Sequence, residues 1–315
     1  MRARVLLGAF LLSACGISFA QGVVAGAGYA VPFPPLTAAP GQLLTFFVTG
    51  LGPIPQTFHA VGVPIGNTLG GITAVVTQFP PSLVPVPIFA IEPLSTCGEQ
   101  TGEGCGTVAA ITVQVSIEIQ SESDEPRGTI VPPLQLVLSG PGSASARVYL
   151  SPVADQIHVL GTCDTVRQQR LGLCRPLVTH ADGTLVTAEA PAKSGEELVI
   201  YAVGLGGTQP YVPTGHAAET AAPTTTAPMV QFDFHPNASP SRPVRANSQP
   251  AVYAGLVPNS VGLYQVNVII PEVPAKTNAC LPTEFGYVGI ATNVTVNIAR
   301  AMSFDGAGLC VQVEP

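Results

Sequence analysis

In "NVTVNI", Val294, Val296 and Ile298 fall on one side of an extended chain, and Asn293, Thr295 and Asn297 fall on the other. A period of two marks a strand with one buried face. Similar β-type runs recur along the chain. They are "GGITAVVTQF", "TVAAITVQVSIEI", "LQLVLSG" and "ARVYL" in the first half, then "APMVQFDF", "AVYAGLV", "GLYQVNVIIP", "YVGIATNVTVNIA" and "LCVQV" in the second. Turn residues separate them. Beyond the first 20 residues no segment sustains a helical period, although "DTVRQQRLGLC" has room for one helical turn.

One strand pattern occurs twice. "GQLLTFFVTGLG" runs from Gly41 to Gly52 and "GEELVIYAVGLG" from Gly195 to Gly206. Gly41, Leu44, Gly50, Leu51 and Gly52 align with Gly195, Leu198, Gly204, Leu205 and Gly206. Each is an apolar run closed by Gly-Leu-Gly, where glycine permits a positive φ or close approach of another chain segment. Further on, Val113-Gln114-Val115 resembles Val266-Asn267-Val268. The repeated order predicts an all-β protein: two antiparallel β-sandwiches in tandem, over 22–155 and 176–315. A connector over 156–175 carries its own cysteine pair. The freest stretches are expected at Thr220–Pro228 and His235–Pro250, which are rich in Pro, Thr, Ser and Asn.

Composition agrees with this picture. Of 315 residues, 46% are hydrophobic and only 10% charged, so sizeable cores are available. Gly (33) and Pro (32) supply the punctuation that many short strands need. The net charge is −7, and the lysines are Lys193 and Lys276, with no basic cluster. That argues against nucleic acid and anionic membrane surfaces as partners.

"MRAR" followed by "VLLGAFLLSA" reads as an export signal, too short for a membrane span. Two processing sites compete. Ser18-Phe19-Ala20 gives a signal peptide over 1–20 and a mature start at Gln21. Leu12-Ser13-Ala14-Cys15 gives a lipoprotein signal over 1–14 and a lipid anchor on Cys15. Export makes disulfides the natural reading of the other six cysteines. The simplest pairing joins neighbours: Cys97–Cys105, Cys163–Cys174 and Cys280–Cys310. There is no CxxC and no histidine at zinc-finger spacing, so no metal site is assigned.

Catalytic chemistry finds little support. There is no GxSxG elbow. Among the histidines, His158 has Asp155 nearby and His180 has Asp182 nearby. "HADG" reads as a tight turn before a strand, and "DQIH" as a strand end. Glu122, Asp124 and Glu125 in "SESDEP" are oxygen donors, but not at EF-hand spacing; a solvated acidic loop is expected. Tyr211, Phe232, Phe234 and Tyr253 are the aromatics available for a sugar platform. Phe232 and Phe234 read as core, which leaves Tyr211 and Tyr253 as ligand-facing candidates. The triplets at Asn237 and Asn293 match the glycosylation pattern only by chance.

"HADGTLVTAEAPAKSGEELVIYAVGLG", "VYAGLVPNSVGLYQVNVIIP" and "NVTVNI" resemble the C-terminal Ig-like (IPT/TIG-type) domain of secreted acidobacterial, Solibacter-type proteins. The resemblance rests on Asp182-Gly183, Pro191-Ala192-Lys193, Gly204-Leu205-Gly206, Ala254-Gly255-Leu256 and Gly262 to Asn267, and covers residues 178–300. It implies an Ig-type sandwich and an extracytoplasmic location, and it carries no catalytic residues. In the first half only "APGQLLTFFVTGLG" fits the pattern. The expected function is a non-catalytic exported surface, matrix or adhesion module without cofactor, whose partner is a protein or polysaccharide at the cell surface. A polysaccharide-binding module is the alternative, and a secreted hydrolase a third class.

Overall fold

The computed structural model describes residues 23–27, 36–78, 82–95, 106–121, 131–162, 164, 175–235, 248–283, 286–288, 292–298 and 303–313. The described residues form β-strands joined by turns, with one 3₁₀ turn at Pro141–Ser143 and no α-helix. The first half contributes β1 (Val23–Ala27), β2 (Thr37–Ala38), β3 (Leu43–Thr49), β4 (Phe58–His59), β5 (Thr68–Leu69), β6 (Ile72–Gln78), β7 (Ser82–Pro85), β8 (Ile88–Ser95), β9 (Thr107–Gln114), β10 (Leu134–Ser139) and β11 (Ser145–Pro152). They form one sheet in the order β1-β3-β9-β8-β4 and a second in the order β2-β11-β10-β6-β5, with β7 also on β6. Neighbours run antiparallel except β2, which lies parallel to β11. One sheet thus holds the first, second, fifth and fourth principal strands and the other the third, sixth and seventh, the Ig arrangement.

The second half repeats the arrangement. Its strands are β12 (His158–Val159), β13 (Val178–His180), β14 (Glu197–Val203), β15 (Ala222–Pro223), β16 (Pro228–Asp233), β17 (Ser248–Pro250), β18 (Tyr253–Leu256), β19 (Tyr264–Ile269), β20 (Leu281–Thr283), β21 (Gly286–Val288), β22 (Thr292–Ile298) and β23 (Phe304–Leu309). One sheet runs β12-β14-β19-β18-β15 with β13 also on β14; it faces β17-β16-β22-β23. A parallel bridge between Ala192 and Val311 takes the place of the β2–β11 pairing.

Alternation decides what is buried. On β3, Leu44, Phe46 and Val48 point inward with Ile111 and Val113 of β9 and Leu134, Leu136 and Leu138 of β10. On β14, Leu198, Ile200 and Ala202 do the same with Val266 and Val268 of β19 and Val294 and Val296 of β22. Burying a Leu- or Ile-sized side chain stabilises by roughly 1.5–3 kcal/mol, so these two cores dominate folding.

The repeated motif occupies the same strand in both copies, and its ends are built alike. Gly41 and Gly195 have φ of +74° and +76°. Gly41 N–H donates to the Val115 carbonyl, and Gly195 N–H to that of Ile270. The Gln42 side chain accepts from Ala39 N–H at 2.9 Å, and the Glu196 side chain from Lys193 N–H at 2.8 Å. At the far end Leu51 and Leu205, each 2% exposed, plug the core between positive-φ glycines. The register also corrects one alignment. Leu44 faces Val113, whereas its counterpart Leu198 faces Val268. Val113 therefore corresponds to Val268 and Ile111 to Val266, two residues away from the match read in the sequence.

Other expectations shift. His158–Val159, assigned to the connector, is the first strand of the second sandwich: it pairs with β14, and Ile157 and Val159 lie in the second core. Thr220–Pro228 is not loose. Ala222 is fully buried in β15, and Thr224 and Thr225 N–H donate to the Ala254 and Gly207 carbonyls. Strand β23 ends at Leu309, where "LCVQV" was expected to begin. Of the three neighbour cysteine pairs, Cys280 and Cys310 are joined in a disulfide with Cα atoms 5.4 Å apart. Cys15, Cys97, Cys105, Cys163 and Cys174 lie outside the described residues, as do both processing sites, the acidic loop Glu122–Glu125, "DTVRQQRLGLC" beyond Asp164, and residues 236–247.

Candidate functional site

His158 is held from both sides. Its Nδ1 lies 3.0 Å from Asp305 Oδ2 on β23, and its Nε2 lies 3.2 Å from Asp164 Oδ2. The same Asp305 oxygen accepts from Val159 N–H at 2.9 Å. Burial works against a charged imidazole here, but the hydrogen bonds and charges of Asp164 and Asp305 outweigh it and push the pKa up to about 9. Asp155, the acid expected beside His158, bonds instead to the Ser303 hydroxyl, which also accepts from Ile157 N–H. Burial holds the Asp155 carboxyl above its ordinary value in spite of that bond. The cluster fastens β12 of one sheet to β23 of the other.

His180 is committed in the same way. Nδ1 lies 2.5 Å from Glu196 Oε1, and Nε2 lies 3.1 Å from the Ala190 carbonyl. Burial depresses its pKa, and the Glu196 hydrogen bond more than reverses this, so the net shift is upward. Asp182 instead accepts from the backbone N–H of Thr184 at 2.9 Å and from its hydroxyl, closing a turn in which Gly183 has φ +85°. A triad needs an imidazole with one nitrogen on an acid and the other on a nucleophile. Neither histidine has that geometry.

The ligand-facing tyrosines part company. Tyr211 is 54% exposed and lies where the two sandwiches meet. Its hydroxyl donates to Glu118 Oε1 at 2.7 Å. Glu118 also accepts from the Thr214 backbone N–H and hydroxyl. Burial raises the Glu118 pKa, but these donors bring it below the ordinary value. Burial and the adjoining carboxylate push Tyr211 up to about 12. Beside them Gln114, 2% exposed, accepts from Gly215 N–H at 2.7 Å, and Ile65 N–H donates to the Gly215 carbonyl at 2.9 Å. Thr37 of the first sandwich donates to Gln156 at 2.5 Å. Tyr211 is thus part of the junction.

Tyr253 stands on the outer face of the second sandwich's β12–β14–β19–β18–β15 sheet. Its hydroxyl lies over Gly255, where a Cβ would come within 2.4 Å of it and 2.4 Å of the Ala222 carbonyl. Glycine leaves the room for this ring to lie along the strand. Burial raises the Tyr253 pKa. Phe232 lies on β16 of the other sheet and Phe234 just past its end, with ring centroids 6.4 Å apart, and both pack against the second core. The four aromatics therefore do not form one platform.

The sheet face around Tyr253 carries polar groups that the sequence reading missed. Across the strands, Tyr201 pairs with Gln265 and Gln265 with Gly255; Val199 pairs with Asn267 and Asn267 with Tyr253. Gln265 Nε2 donates to Asn267 Oδ1 at 3.0 Å, and Asn267 Nδ2 donates to Glu197 Oε1 at 2.8 Å. Ile269 and Val252 flank this ladder at 46% and 57% exposure. The signal was present in "YQVNVI" and "ELVIY", where Gln265 and Asn267, and Glu197 and Tyr201, each fall on one face of their strand. No group of His, Cys, Asp and Glu among the described residues could hold a metal ion.

No protein-family model matches the chain, and no curated protein does. Among solved structures, a chain described as "Crystal structure of DIP-gamma IG1+IG2" aligns over 94% of this chain and 98% of its own length, at 8% identity and a TM-score of 0.17. At that score the likeness adds nothing to the strand order and pairing, which define the class: an all-β protein of two Ig-like sandwiches. No helix among the described residues is long and apolar enough to cross a membrane.

Proposed function

We propose that the chain is an exported, non-catalytic surface, matrix or adhesion module, in which two sandwiches joined by a hydrogen-bonded junction present a binding surface. One observation carries this reading. Both histidines that have acids nearby spend both ring nitrogens on structural partners. They stabilise strands and turns, and among the described residues no nucleophile is hydrogen-bonded to either imidazole. Sandwiches that display partner-binding surfaces from a rigid frame need no more chemistry than this. Export rests on the N-terminal segment and the cysteine usage.

A broad panel of ester and glycoside substrates should give no turnover with the mature chain. Turnover that disappears in His158→Gln or His180→Gln, with the fold retained, would overturn the reading. The intact mass from the native host should begin at Gln21 or at an acylated Cys15. A mass that retains Met1 contradicts export.

A further inference from the structure

We propose that the outer face of the second sandwich's β14–β19–β18 sheet binds an extended neutral glycan, with Tyr201 and Tyr253 as stacking surfaces and the Gln265–Asn267–Glu197 ladder as the polar reader. This rests on the reading of the chain as a binding module and names its ligand class. Three features of the face carry it.

The first is preorganisation. Each bond in the ladder points the same way, from Gln265 to Asn267 to Glu197. The carboxylate at its end fixes the orientation of both amides. Each amide has two donors and a carbonyl, so this ladder leaves further donors and acceptors in fixed directions. Hydroxyl groups, which both donate and accept, complement such a row.

The second is aromatic placement. Tyr201 and Tyr253 stand on opposite sides of β19, two strands and two residues apart. That is about 12 Å between Cα atoms from ordinary sheet spacings. Tyr253 lies along the sheet over Gly255. Half-buried rings on either side of an amide row suit the alternating C–H faces and hydroxyl edges of a sugar chain.

The third is charge. None of β12, β13, β14, β18 and β19 contains Lys or Arg. The ladder's one carboxylate is already bonded by Asn267. The chain as a whole carries −7. These strands therefore offer no Lys or Arg to a polyanion, and an uncharged ligand suits the face.

Isothermal titration of the mature chain with cellohexaose, chitohexaose and a soluble β-glucan tests this, with dextran sulfate as the anionic control. Saturable heat is expected with at least one neutral glycan and none with dextran sulfate. Tyr201→Ala and Asn267→Ala should each weaken binding at least tenfold, whereas Tyr149→Ala on the first sandwich should leave it unchanged. Because the variants could fail to fold, hydroxyl-radical footprinting of the unaltered chain is the parallel readout: Tyr201 and Tyr253 should be protected by the glycan and Tyr149 should not. Flat traces with all the neutral glycans, or binding that neither protects nor needs the face, overturn the proposal. Turnover of the substrate panel overturns instead the non-catalytic reading beneath it.

Discussion

The two sandwiches place equivalent strands side by side and use the outer faces of those strands differently. In the first, Leu43 and Thr45 of β3 and Thr112 and Gln114 of β9 face outward. Thr45 and Gln114 are 4% and 2% exposed; Gly215 N–H donates to Gln114, and the Leu43 side chain lies against Gly262. The polar pair there is satisfied within the face itself, with the Thr45 and Thr112 hydroxyls 2.9 Å apart. In the second, the same positions hold Glu197, Val199, Asn267 and Ile269, and Glu197 and Ile269 are exposed. One copy of the face is spent holding the molecule together, and the other is open. Identical frames can diverge this way because side chains on the outward face are not fixed by the core.

The largest expected effect tests the shared frame. Gly204 has φ +76°, and a Cβ there would lie 2.0 Å from the Gln156 carbonyl oxygen. Gly195 has the same φ but nothing within 4 Å of the added atom. Gly204→Ala should cost roughly 3–5 kcal/mol in urea unfolding, since backbone as well as dihedral must yield. Gly195→Ala should cost about 1 kcal/mol, the dihedral penalty alone. Equal losses at the two sites would mean that the close approach at Gln156 is not maintained.

Next comes the pH dependence of the His158 fastening between the two sheets of the second sandwich. The folded pKa of about 9 lies above the ordinary value of 6.5. The contribution is therefore complete below pH 6.5 and fades as pH rises through 9, by on the order of 3 kcal/mol. Thermal melts between pH 6 and pH 9.5 should show this fall, and His158→Gln should flatten it.

A reciprocal swap sharpens the contrast between the faces. Leu43→Glu places a charge against Gly262 and should cost about 1–3 kcal/mol and open the junction in small-angle scattering. Glu197→Leu on the open face should change stability by no more than about 1 kcal/mol. If the two substitutions cost the same, the faces are equally exposed. Glu118→Ala frees Tyr211 and Thr214, and solvent screening keeps that loss to no more than about 1 kcal/mol.

The repeated strand was legible because an apolar run flanked by glycines is a local pattern, and both copies fall on the same strand of the fold. The fifth-strand match failed by two residues for a physical reason. A shift of two keeps every side chain on its own face, so Val-x-Val cannot report its register. Only the pairing of Leu44 with Val113 and Leu198 with Val268 does that. The turn at Asp182-Gly183 was read correctly because its bonds span two residues. The His158–Asp305 and Glu118–Tyr211 bonds join residues far apart in the chain, and nothing in either local sequence announces its partner. Tyr253 was among the aromatics read as available for a sugar platform, whereas Tyr201 was hidden inside the repeated strand and Tyr211 belonged to the junction.

The open and closed faces are compared most directly by thiol labelling of Thr45→Cys and Asn267→Cys in the folded chain, read by peptide mass. Rapid modification is expected at position 267, and protection at position 45 until the protein unfolds. Equal rates at the two positions, or protection at 267, would contradict this.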